Sequence, residues 1–230
     1  MIFRPRLPAD ASWHWLALVG IWLAMFGGLI FDDKLIPYDS KDAFYPYAAF
    51  VVHSLQHGDL PFWNPYFWGG MSSIGDPQGL NFAPTLIAPF LLLHLTPRTF
   101  DVVVALHLLL GSWFFFRFLR TWHLSPGAAM VGAVVFAYGG PLVLRLQHTP
   151  MILSHACLAA VLYFGERLLR SPRPTAALGL GISAGLMAAM PNQVSFLGLL
   201  TACAYLLLRL ATVLRESEAA DRRPLLGWLG

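Results

Sequence analysis

Charge is the scarcest ingredient of this 230-residue chain. Asp, Glu, Lys and Arg together make up 12% of it, about half the usual share in a soluble protein. A hydrophobic fraction of 57% and a mean hydropathy of +0.61 argue against any soluble domain. Cysteine is nearly absent. Cys157 and Cys203 each lie inside an apolar run, which excludes a disulfide scaffold and a cysteine-based zinc site. There is no P-loop, no dinucleotide-binding glycine fingerprint and no HExxH pair, so soluble nucleotide chemistry and zincin chemistry have no footing. The net charge of +3 is small and scattered, unlike the basic patch of a nucleic-acid binder. Abundant aromatic and branched residues exclude disorder. What remains is a polytopic membrane protein, an all-α helical bundle.

Six stretches are long enough to cross a hydrocarbon core, approximately 13–31, 99–120, 126–144, 150–169, 174–191 and 194–214. A spanning helix needs roughly 17–25 residues. The first follows Arg4 and Arg6, lacks a small-residue cleavage site and ends in GGLIFDDK. It reads as a retained anchor rather than a signal peptide. A seventh apolar run, 82–95, is about six residues too short to span, and Pro84 and Pro89 would break its hydrogen-bond ladder. It is expected to form a juxtamembrane or re-entrant helix at the membrane surface. With six spans and the N-terminus inside, eleven arginines fall on the inner side. Lys34, Lys41, Arg98 and Arg145 fall on the outer side, as the positive-inside rule requires. Seven spans with the N-terminus outside give the same ratio, so run length and prolines, not charge, favour six. The plan is a cytoplasmic tail 1–12, a first span 13–31, an outer loop 32–98, five further spans within 99–214 and a basic cytoplasmic tail 215–230. The closing LLGWLG reads as the start of another apolar segment, so a longer protein is expected.

The outer loop is rich in aromatic residues. Phe44, Tyr47, Val51 and Leu55 recur at helical spacing, Pro46 fits a first turn and Gly58 a helix stop. These predict a short amphipathic helix from near Ala43, lying on the membrane surface. GDLPFWNPYFWGG carries Pro61, Pro65, Gly69 and Gly70 and predicts a structured turn.

The run IPYDSKDAFYPYAAFVVHSLQHGDLPFWNPYFWGGMSSIGDPQGLNFAPTLI resembles the first outer loop of YfhO-like bacterial membrane proteins. These belong to the C-type (GT-C) superfamily of membrane glycosyltransferases. The likeness rests on an Asp soon after the first helix, an aromatic–Pro helix, a G-x-x-P-x-W-N-P-Y core, a Gly-Gly pair and a later Gln before a proline-rich apolar run. It covers about 35–97 well; over 98–200 only the apolar pattern and a few polar ends match. The resemblance implies a polyprenyl-phosphate sugar donor and a glycan, lipid or protein acceptor. It implies transfer at the outer face of the bacterial cytoplasmic membrane, with an acidic residue in the first outer loop.

Inverting sugar transfer needs a base for the acceptor hydroxyl and stabilisation of the departing phosphate. Asp39 matches the early acidic position of the family and is the first candidate base; in PYDSKD it is equally a turn residue. Asp42 competes, or caps the helix start. Trp63 and Asn64 offer a stacking platform and an amide for a sugar, or else an interfacial anchor and an Asn–Pro turn. Gln78 carries the same ambiguity. Arg145 and His148 follow the third span, and Asn192 and Gln193 lie between the fifth and sixth, so all four are expected near the loop. A guanidinium suits phosphate, so Arg145, with His148, is the candidate for donor phosphate or for lipid headgroups. Asn192 and Gln193 are candidates for shaping the sugar or acceptor site. His107 sits in mid-span, where an ionisable group is a functional suspect; the alternative is a neutral ring bonded to a neighbouring helix. Asp39 and Asp42 could share a divalent cation; no other metal ligand set occurs. The other functional reading is a lipid or polymer transporter, or a non-catalytic assembly subunit. A transporter calls for a repeated interrupted helix, and only 82–95 is interrupted.

Overall fold

The computed structural model describes residues 13–76 and 79–226, with side chains as far as Arg215. Long apolar runs fold as helices because a helix satisfies its backbone groups within one segment. Five helical stretches are long and apolar enough to cross a membrane. They are α1 (Trp13–Phe31), α4 (Pro97–Thr121), the pair α5 (Pro126–Tyr138) and α6 (Gly140–Val143), α7 (Thr149–Arg170) and the apolar part of α9 (Gln193–Leu226). Proline opens α4, α5 and α8 (Pro174–Ala189), where its missing amide hydrogen costs nothing. Thr96 and Thr99 form a capping box at α4, and Ser125 caps α5.

The expected span 174–191 is shorter than a full crossing. α8 has 16 residues, about 24 Å of helix against a core of about 30 Å. It still returns the chain from one end of the bundle to the other. Ser154 Oγ and Ser195 Oγ are 2.7 Å apart, and Asn192 Nδ2 donates to the Pro150 carbonyl at 3.3 Å. α7 and α9 therefore start at the same end, and α8 runs back between them.

α4 and α7 form the centre. Gly111 permits their close approach, since a Cβ there would lie 3.0 Å from Ala156 Cα. α1 runs antiparallel to α4: Trp22 Nε1 donates to the Ala105 carbonyl at 2.7 Å. Arg98 binds the Leu29 carbonyl at 3.0 Å and the Ile30 carbonyl, satisfying the orphan end of α1.

The run 82–95 is not a continuous helix, and only one side of it is turned into the protein. Pro84 and Pro89 divide it into α3 (Pro84–Ile87) and a 3₁₀ turn (Ala88–Leu91). Leu86, Ile87 and Phe90 are buried. Thr85 Oγ1 bonds His107 Nε2 at 3.0 Å, roughly 15 Å along α4 from Pro97 and near the level where the middle of α1 meets Ala105. The segment is re-entrant relative to the helices. His107 Nδ1 faces the Val103 carbonyl at 2.8 Å, so both ring nitrogens serve packing.

A π-helical turn (Ser40–Phe44) leads into α2 (Tyr45–Gln56), close to the expected start. The expectation that α2 lays its apolar face on lipid is overturned. Tyr47, Ala48, Val51 and Val52 are buried in the protein core, and Gln56 Nε2 donates to the Phe90 carbonyl at 3.2 Å. The re-entrant segment occupies the place of the lipid. Beyond α2, β1 (Trp63–Asn64) pairs antiparallel with β2 (Met71–Ser72). Gly70 has φ +110° and a Cβ there would lie 2.9 Å from the Trp63 ring, so only glycine fits.

Candidate functional site

One carboxylate on α4 fixes the start of the loop. Asp101 is fully buried. It accepts from the Ile36 amide at 2.8 Å, Ser40 Oγ at 3.2 Å and Lys41 Nζ at 2.5 Å. Burial holds the Lys41 ammonium below its ordinary value, against the opposing pull of Asp101. The pair therefore fixes position more than it adds net stability. Further along, Tyr47 donates to Asp76. Burial, reinforced by that carboxylate, pushes its phenol well above the ordinary range, so it remains the donor.

Asp39 lies between the Ile36 and Ser40 anchors, with its own side chain half-exposed. Its Oδ2 is 3.3 Å from His148 Nδ1, and His148 Nε2 is 3.3 Å from Arg145 Nη1. A guanidinium only donates, so Nε2 accepts and the ring hydrogen is assigned to Nδ1, facing Asp39. The three groups form a chain from carboxylate through imidazole to guanidinium. They line a cavity of about 410 Å³ with Phe44, Pro191, Asn192 and Gln193.

Five of the residues expected from sequence thus meet: Asp39, Arg145, His148, Asn192 and Gln193. Asn192 plays a different part from the one expected. Its Oδ1 accepts from the Val194 and Ser195 amides at 2.9 and 3.1 Å, which makes it the N-cap of α9. Its Nδ2 serves Ser154 Oγ at 2.8 Å and the Met190 carbonyl at 2.9 Å. The amide braces the cavity wall and has little left for a ligand. Gln193 is exposed at the rim.

The other candidates stay apart. Asp42 is exposed and does not line this cavity. Trp63 is exposed and covers Gly70. Asn64 Oδ1 accepts from the Tyr66 amide at 3.0 Å, the Asn–Pro turn reading. Asn64 lines a larger cavity of about 600 Å³ between α2 and 93–95. No carboxylate, lysine or arginine lines that cavity; its titratable groups are His53, His94, Tyr45 and Tyr66. Gln78 lies outside the described residues.

The shared cation does not fit. Asp39 faces the His148 imidazole, Asp42 does not line the cavity, and no cluster of three metal-ligating side chains occurs among the described residues. A divalent ion beside Arg145 would meet like charge.

Asp101 escaped the sequence reading. Its signal was present: a lone carboxylate in the first turns of an otherwise apolar helix. No family model matches the chain, and no curated protein or solved structure matches it.

Proposed function

We propose that the protein is a membrane glycosyltransferase of the GT-C type. It would move a sugar from a polyprenyl-phosphate donor to a hydroxyl of an acceptor, at the outer face of a bacterial cytoplasmic membrane. The observation that carries this reading is the contact chain Asp39–His148–Arg145 in one cavity. It supports the assignment because a carboxylate is a suitable base and a guanidinium a suitable partner for phosphate. The likeness of 35–97 to YfhO-like proteins supplies the sugar chemistry.

In this mechanism Asp39 takes the proton of the acceptor hydroxyl on the oxygen that His148 does not occupy. The acceptor oxygen bonds to the anomeric carbon as the bond from that carbon to the phosphate oxygen breaks. The electron pair leaves on the phosphate, where the Arg145 guanidinium stabilises it. His148 orients Asp39 through Nδ1–H and keeps Arg145 placed through Nε2.

The test is sugar transfer from a polyprenyl-phosphate sugar in membranes, wild type beside Asp39→Asn at matched expression. Loss of about 10²-fold or more is expected, the range for removing a general base. Arg145→Ala should weaken donor binding while the fold survives. Unchanged transfer in Asp39→Asn would remove Asp39 as the base. No transfer by the wild type would favour a transporter or an assembly subunit.

A further inference from the structure

Several large apolar side chains outside the long helices are used by neither the core nor the candidate site. Trp68 is 90% exposed, Leu92 92% and Tyr66 79%; Trp63 and Leu93 are exposed as well. Large apolar side chains gathered at the surface mark an interaction site. No Asp, Glu, Lys or Arg occurs in 60–75 or in 77–97, so no charge holds either stretch in bulk water. The two stretches belong to one surface, since Tyr66 and Leu93 line the same cavity.

The level of this surface along the bundle follows from the helices. Thr85 meets His107 near the middle of α1. Pro97 is level with the end of α1, where Arg98 holds Leu29 and Ile30. Leu92 and Leu93 belong to the stretch that joins these two levels. Apolar side chains exposed at the height of the spanning helices face hydrocarbon rather than water. The face of α2 cannot serve instead, because it is buried against the re-entrant segment.

We infer that the Tyr66–Trp68 tip and the Leu92–Leu93 turn are seated in the lipid bilayer. The aromatic rings lie at the headgroup boundary and the leucines among the acyl chains. The loop is then held at both margins, by Asp101 on the protein side and by lipid on the other. This seat does not depend on the glycosyltransferase reading.

The test uses the full chain with Cys157→Ala and Cys203→Ser, reconstituted in phosphatidylcholine vesicles. A single bimane label is placed through Trp68→Cys, Leu92→Cys or Asp59→Cys, the last a charged position of the same loop. Labels at 68 and 92 are expected to lose emission in lipid with brominated acyl chains and keep it in aqueous iodide. The label at 59 should do the reverse. Iodide quenching at 68 and 92 equal to that at 59 would overturn the inference. So would protection from both quenchers, which would mean that protein covers the patch. Tyr66→Cys and Leu93→Cys repeat the measurement if either first variant fails to fold.

Discussion

Asp101 is the residue on which the geometry of the loop turns. Three donors from 36–41 converge on one buried carboxylate, and Asp39 is carried between them. Removing one partner of a buried pair leaves the other uncompensated. Asp101→Asn should therefore lower stability by about 3 kcal/mol, read from chemical unfolding in detergent. Lys41→Met in the same chain should restore part of that loss, because the stranded ammonium is gone. Additive losses would show that Lys41 and Asp101 do not act as a pair. At this scale the sequence was legible where polar residues stand at the ends of apolar runs: Asp39, Arg145, His148 and Gln193. It was not legible for Asn192, whose cap role was hidden behind a polar type that suits either a ligand or a helix start. Asp42 is as acidic as Asp39 and three residues nearer α2, yet only the fold separates them.

Among the elements, α9 depends most on a few contacts. Most of its apolar part is exposed, and two polar clusters on α7 fasten it near its start and near its charged end. One is the Ser154–Ser195–Asn192 knot. The other is Glu166, fully buried, which accepts from Arg170 Nε at 2.6 Å, Arg209 Nη2 at 2.9 Å and Tyr205 Oη at 2.6 Å. Trp122 lies beneath both guanidiniums, adding cation–π attraction. Glu166→Ala should cost about 3–5 kcal/mol, the usual loss when a buried ion pair is broken. Lower thermal stability in detergent is the expected outcome; a neutral effect would show that apolar packing alone holds α9. The helices themselves were legible from run length and opening prolines. For α3 the sequence left juxtamembrane and re-entrant placements open, and the orientation of α2 was not legible, because an apolar stripe reads the same against lipid as against protein.

The whole molecule has two chemically distinct ends. One gathers the 32–96 loop, the end of α1 and the starts of α4, α7 and α9, with Asp39, Arg145 and His148 among them. The other holds Glu166 with Arg170 and Arg209. Asp59→Cys and Ser171→Cys should accordingly react with a membrane-impermeant maleimide from opposite sides of a sealed vesicle. Reaction of both from one side would break the plan of six traverses, α8 included. Composition and run length were enough to establish a helical membrane bundle and nearly its number of passes. A hydrocarbon core selects segments on length and apolarity, and those are properties of single stretches of chain. The meeting of Asp39 with Arg145 and His148, the anchoring of 36–41 on Asp101 and the burial of α2 were decided by tertiary packing. Each joins segments far apart in the chain, and no local pattern of residues encodes the partner that another helix will bring.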